Sequence, residues 1–335
     1  MDEPWLPMDV FIEILIFLPV KSILKFKCVS KTWRDLISSP LFMNRHLKCH
    51  RKHRVMLVKG DPSDTQIHGP CNGLVCIALG KSIFLCNPAL REFKQLPPLN
   101  FPAGKRGEPL GFGFGFDQIG GGYKFIQIWG HEVPDILDLW YGLGENGINE
   151  NQVDLYDSAS DSWKRIDAKV PYVSNEPSVG VYTNGAIHWY TFSVTGNYPC
   201  ILCFDTTSEA FRELHVHGNF PPAYEKRLIG LDGSLAMVLW NSSMQELNSN
   251  SYIETWVMKE YGVKESWTKR FCLNTCHIYF PLLIWRNEWL VFVTIDGQLA
   301  ASSIRGNQSN KFEVYGFEFY LSAVVYEESL VSLMV

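Results

Sequence analysis

The chain has 335 residues, 46% of them hydrophobic and 19% charged, with a formal net charge of −5. That supply of apolar side chains builds a sizeable core and excludes a disordered or fibrous chain. No apolar run approaches the ~18 residues of a membrane-crossing helix, the acidic start MDEPW lacks the basic flank of a signal peptide, and nine scattered cysteines fit reduced thiols in the cytoplasm, with the nucleus as the other reducing compartment.

Charge is uneven. Residues 1–54 hold ten Lys/Arg against five Asp/Glu, net +5, which leaves 20 against 30, net −10, in residues 55–335. An acidic body argues against nucleic-acid binding. An acidic surface can steer a basic partner and raise its encounter rate; on charge alone, ordinary solubility charge is the preferred reading.

Residues 5–47 carry helical spacing. Val10, Ile14, Leu15 and Leu18 recur at three and four residues, one apolar helix face. Pro19 ends that helix. A short second helix is expected from Ser22 to Cys28, and a third behind the N-cap candidate Ser30, with Trp33, Leu36 and Ile37 on one face. Ser39-Pro40 breaks it, and Leu41 to Leu47 supplies another turn or two.

From residue 55 the period changes. Short β-branched and aromatic runs alternate with Gly, Asn, Asp and Pro turns, which is a strand-and-hairpin pattern. The boundary is therefore placed in the basic stretch His46–Arg54, giving a helical unit 1–47, a linker 48–54 and a strand domain 55–335. Within the strand domain a unit repeats five times, beginning CNGLVCIAL, GFGFGFD, TNGAIHWYTF, LDGSLAMVLW and RNEWLVFVTI. Phe93, Trp163, Phe211, Trp267 and Phe312 occupy one place in each. The period matches the ~45–50 residues of a four-stranded propeller blade. Strand-like runs at 55–59 and 317–335 are left over, and pairing them would close the ring as part of a sixth unit. The expected fold is thus a small all-α unit followed by a large all-β propeller of five clear units, six with terminal closure. A β-sandwich is the alternative; it accounts for the strands but not for their spacing.

Chemical motifs were sought along the same stretch. Gly80-Lys81-Ser82 resembles the end of a phosphate loop, but Val75 stands where the earlier glycine belongs. Gly111, Gly113 and Gly115 alternate with phenylalanine, so glycines take one strand face and aromatics the other, a packing pattern. Cys200 and Cys203 point to opposite faces of a strand and have no second pair at zinc spacing. His46, Cys49, His50 and His53 would share a helix face; a solvated basic segment is the reading preferred over a zinc site. No convergent acid, base and nucleophile emerge. The chain is therefore expected to be no enzyme, to hold no metal and to need no cofactor.

The helical unit resembles an F-box. The matching residues are Leu6-Pro7, Leu18-Pro19-Val20-Lys21-Ser22, Phe26 to Lys31, and Trp33 with Leu36-Ile37. The strand domain is similar to the F-box-associated, kelch-related domain of plant F-box proteins through NPALREFKQLP, GFGFD with YKFIQI, DSWKRID and NGAIHWY. ILCFDTTSEAFREL, WVMKEYGVKESW and VVYEESLVSL are similar to the S-locus F-box group. The resemblance implies a substrate receptor of a Skp–cullin–F-box ubiquitin ligase. It points to Leu6, Pro7, Ile14, Leu15, Leu18, Pro19, Val20, Leu24, Cys28, Val29 and Trp33 as adaptor-facing or hairpin-core residues. It also implies a cullin held through the Skp-type adaptor, and a protein substrate, of which a basic ribonuclease of pollen self-incompatibility is the S-locus case. Kelch-type enzyme and non-degradative scaffold are the alternative functions. Candidate substrate loops are 60–70, 100–109, 131–151, 170–178, 217–227, 241–251 and 273–278, with Trp140 and Tyr141 as aromatic anchors.

Overall fold

The computed structural model describes residues 7–49, 53–60, 65–99, 109–130, 151–168, 170, 178–192, 198–216, 220, 225–241, 251–275, 278–305, 309–312 and 321–333. Four helices come first: α1 (Met8–Ile16), α2 (Val20–Phe26), α3 (Lys31–Ser38) and α4 (Pro40–Cys49). Pro7 and Pro19 each precede a helix in extended geometry and set its start. Ser30 caps α3 as expected, its hydroxyl accepting the Trp33 amide at 3.2 Å. The fourth helix runs to Cys49 and the first strand begins at His53, so most of the basic stretch belongs to regular elements.

The rest is a β-propeller of five blades, each an antiparallel sheet of four strands. Blade 1 holds β2 (Thr65–Cys71), β3 (Leu74–Leu79), β4 (Ser82–Asn87) and β5 (Glu92–Gln95). Blade 2 holds β6 (Pro109–Phe116), β7 (Tyr123–Trp129), β8 (Gln152–Asp157) and β9 (Ser162–Ile166). A two-residue strand, β10 (Ser178–Val179), joins blade 2 in parallel on β6 before the chain enters blade 3. Blade 3 holds β11 (Val181–Thr183), β12 (Ala186–Phe192), β13 (Pro199–Asp205) and β14 (Phe211–His215). Blade 4 holds β15 (Glu225–Leu231), β16 (Ser234–Trp240), β17 (Ser251–Met258) and β18 (Trp267–Thr275), and blade 5 holds β19 (Ile278–Trp285), β20 (Trp289–Thr294), β21 (Leu299–Ser303) and β22 (Ser309–Phe312). The leftover ends do pair: β1 (His53–Lys59) and β23 (Leu321–Glu327) form an antiparallel ribbon. The ribbon lies between blades 5 and 1 and closes the ring. The sixth unit is therefore two strands rather than four.

Two kinds of turn repeat because the sequence repeats. Asn72-Gly73, Asn184-Gly185 and Asp232-Gly233 all have positive φ and join the first strand of a blade to the second by two residues. That is the primed hairpin turn, which matches the twist of the strands. At the third turn of blades 1, 2 and 3, Asn87, Asp157 and Asp205 each accept backbone amides two or three residues on. The turn then closes on Arg91, Asp161 and Glu209, again at positive φ. The repeating aromatics of the outer strands follow: Phe93, Trp163, Phe211, Trp267 and Phe312 lie in β5, β9, β14, β18 and β22.

Core clusters sit between neighbouring blades. One joins Leu74, Cys76 and Leu85 of blade 1 to Phe114, Phe125 and Tyr156 of blade 2, and another joins Leu155 of blade 2 to Ile187, Trp189 and Phe204 of blade 3. The glycine face of β6 meets this second layer. A side chain at Gly113 would run into Ile187 and Trp189 at 2.5 and 2.7 Å. Trp189 is fully buried and its indole N–H donates to the Phe112 carbonyl at 2.9 Å.

Candidate binding surfaces

The two ends of the ring differ, and antiparallel pairing dictates how. The turns between first and second strands and those between third and fourth strands lie at one end. The connections between second and third strands, and between one blade and the next, lie at the other. All seven candidate loops belong to this second end. In three of them residues 65–70, 225–227 and 273–275 are strand. Residues 61–64, 100–108, 131–150, 171–177, 217–219, 221–224, 242–250 and 276–277 lie outside the described residues, and Trp140 and Tyr141 with them.

The helices dock on the tight-turn end. Their core contains Leu15, Ile16, Val20, Ile23, Ile37 and Phe42, and it is completed by Leu330, with Ala89 and Leu90 from the third turn of blade 1 packed beside it. The tail after β23 holds the joint. Asn87 donates its amide to the carbonyls of Ser329 at 3.1 Å and Val331 at 2.7 Å. Glu92 accepts the Leu333 amide at 2.7 Å and the Ser332 hydroxyl at 3.0 Å. Arg54 and Glu328 pair at 2.6 Å. His46 belongs to the same joint. It is buried, stacks on Phe42 and bonds through Nε2 to the Leu18 carbonyl at 2.9 Å. Burial pulls its pKa down, against that bond and the Glu328 charge. The expected solvated basic segment is thus corrected at His46, which the helix core takes up because its ring pairs inside. Cys49 is exposed. The side chain of His53 and all of His50 lie outside the described residues.

The resemblance-derived set divides by burial. Leu15 and Val20 are buried in the helical core. Leu18, Leu24 and Trp33 are half-buried, Trp33 against Phe11 and Phe26. Pro7, Ile14, Pro19, Cys28 and Val29 are exposed, and Leu6 lies outside the described residues. Along α1 the residues Val10, Ile14 and Phe17 follow each other at four and three residues and are 41%, 52% and 65% exposed. That is a complete apolar stripe facing away from the helix core. Phe17, the C-cap of α1, lies outside the residues that match the F-box motif, and its signal in the sequence is the seven-residue spacing from Val10. Val29 at 63% and Leu41 at 74% add exposed apolar surface.

One buried cluster has the residue types of an active site. His188 bonds through Nε2 to the Tyr261 hydroxyl at 2.7 Å and through Nδ1 to the Val181 carbonyl at 3.0 Å. Tyr261 also meets Cys203 at 3.4 Å and Arg212 at 3.0 Å. Burial pushes the His188 pKa down to about 4, so the ring is neutral. His188 and Cys203 have no exposed surface, and both are bonded to the Tyr261 hydroxyl. The cluster ties blade 3 to the third turn of blade 4. A second knot, Lys124 with Glu209 at 2.7 Å and Asp117 at 3.4 Å, ties blade 2 to blade 3. Burial works against the Lys124 charge, but the two carboxylates outweigh it and hold its pKa up. Among the described residues no group of three or more His, Cys, Asp or Glu is placed to hold a metal.

Two family models match the chain: an F-box domain over residues 4–45 and an F-box associated beta propeller domain over residues 25–295. The chain belongs to the F-box-associated β-propeller family. An F-box/kelch-repeat protein of Arabidopsis thaliana is 25% identical over 318 residues, 85% of this chain and 71% of that one. The Arabidopsis F-box protein CPR1 is 24% identical over 314 residues, 80% of this chain and 73% of its own. Among solved structures, TolB from Acinetobacter baumannii covers 86% of this chain and 73% of its own, at 13% identity and a TM-score of 0.46. In F-box terms, the exposed α1 stripe lies on the F-box and the loop-bearing end lies on the far side of the propeller.

Proposed function

We propose that this F-box protein is the substrate-recognition subunit of a Skp–cullin–F-box ubiquitin ligase, without an active site of its own. The observation that carries the reading is the exposed apolar stripe Val10–Ile14–Phe17 on an F-box whose other face is consumed by its own core. A Skp-type adaptor covers that stripe together with Val29, and the cullin is reached through the adaptor. A protein substrate is held at the opposite end. The receptor then accelerates transfer by proximity alone, bringing substrate to another enzyme's chemistry. The chain acts in the cytoplasm.

Co-purification with a Skp-type adaptor tests this. The wild-type chain is expected to bind, and Ile14→Asp with Phe17→Asp to abolish binding while the circular dichroism spectrum is kept. No binding by the intact chain sinks the reading. For the substrate, the similarity to the S-locus group and the −10 balance of residues 55–335 support a basic secreted-type ribonuclease met in the pollen tube. Its binding is expected to weaken as salt rises. Absence of the protein from pollen rules that substrate out.

A further inference from the structure

The first strands of the blades, with β23, carry contacts from one blade to the next, as β2 with β6 and β23, β11 with β6 and β15, and β19 with β23. Across β2, β6, β10, β11, β15, β19 and β23 the acidic and basic side chains are few: Glu225, Lys226 and Arg227 toward the loop-bearing end, and Glu327 at the F-box end. Glu225 answers the Lys226 charge, partly offsetting the burial that lowers the lysine pKa. Among the described residues Arg227 has no such answer. Its guanidinium lies 4.8 Å above the Phe280 ring and Nη1 donates to the Pro281 carbonyl at 3.2 Å, both on β19. The neighbours on its face of blade 4 are Val238 and Thr255, neither acidic. Burial alone acts on its pKa, lowering it to about 10, and no carboxylate opposes the shift. The residue nonetheless keeps partial access to solvent.

A desolvated cation without a counter-charge is costly, and the cost is recovered when an anion arrives. The guanidinium offers a planar fork of five donors, of which one hydrogen bond to protein is used. A role in packing alone would be met by an uncharged side chain of the same length over Phe280. We propose that Arg227 is an anion-binding residue where blade 4 meets blade 5, near the loop-bearing end, and that it takes the carboxylate of an acidic side chain on a protein partner that approaches from the end opposite the F-box. The inference rests on the receptor reading and names the chemistry at its substrate end. It also qualifies the charge argument: a partner that is basic overall is read here at one acidic residue.

The test uses the full chain co-expressed with its adaptor and an immobilised library of random peptides in which one position is Asp, Glu, phosphoserine, Ala or Lys. Asp and Glu peptides are expected to be retained about tenfold over Lys peptides, the scale of one charge-assisted hydrogen bond. Arg227→Met, which keeps length and contact with Phe280, is expected to erase that preference while the melting temperature does not fall and adaptor binding stays unchanged. Absence of an acidic preference, or a preference that survives Arg227→Met, overturns the proposal. Phosphoserine retained above Asp and Glu overturns the carboxylate assignment. Failure of the receptor reading shows separately, as loss of adaptor co-purification.

Discussion

Asn87 shows what one atom decides. Its counterparts in blades 2 and 3 are Asp157 and Asp205, and all three side-chain oxygens cap the same turn. Asn87 alone has an amide to spend, and spends it on two tail carbonyls. Asn87→Asp is expected to keep the turn and lose the tail, costing about 1–3 kcal/mol through two stranded carbonyls and a buried carboxylate. Thermal melting checks this, with Asp157→Asn as the near-neutral control. Two buried histidines set a pH response. Burial lowers His68 to about 3 and His188 to about 4. Both lie below the ordinary histidine value of about 6.5 that the unfolded chain retains. The unfolded state therefore binds more protons between those values, and stability falls as pH drops from about 6.5 toward 3. Denaturant unfolding across that range is expected to show the slope. His68→Leu should flatten it, since both ring nitrogens of His68 lack a hydrogen bond in the fold.

Turns and strands were the most legible elements, because their chemistry is local. CNGL, TNGA and LDGS announce two-residue hairpins without any tertiary knowledge, and the Ser30 cap is equally self-contained. The glycine face of β6 was legible as packing, but what packs there was not. Trp189 arrives from the next blade and lies between Gly113 and Gly180, and both approaches would be blocked by a methyl group at 2.5–2.7 Å. Gly180 also donates to the Phe112 carbonyl at 2.7 Å, so blade 3 begins while still bonded to blade 2. That parallel pairing left no sequence signal, since β10 is two residues long. Gly113→Ala is expected to destabilise by about 1–3 kcal/mol. Trp189→Phe in the same chain should restore part of the loss, as a double-mutant cycle in melting would show.

At the scale of the whole molecule, helical unit and ring were both readable from periodicity, and their joint was not. The exposed apolar residues of the F-box stand out by spacing. The buried ones that face the propeller, such as His46, look like a basic surface until the Leu18 carbonyl is seen beside it. The joint depends on partners such as Asn87 and Ser329, 242 residues apart, and no local pattern encodes that pairing. Leu330 is 1% exposed inside the helical core, so Leu330→Asp buries an unpaired charge there. Hydrogen exchange is expected to speed up across α1–α4 in this variant while blades 2–4 keep their protection.

The same tail orders events in time. During synthesis the F-box sequence emerges first, yet its core has no Leu330 and its ring has no β23 until the rest of the propeller has been made. A ribosome that stops early releases helices with a gap in their centre and a propeller with two open strand edges. Such a product is a ready target for chaperones and proteases. The segment after β22 thus completes both the helical core, through Leu330, and the ring, through β23.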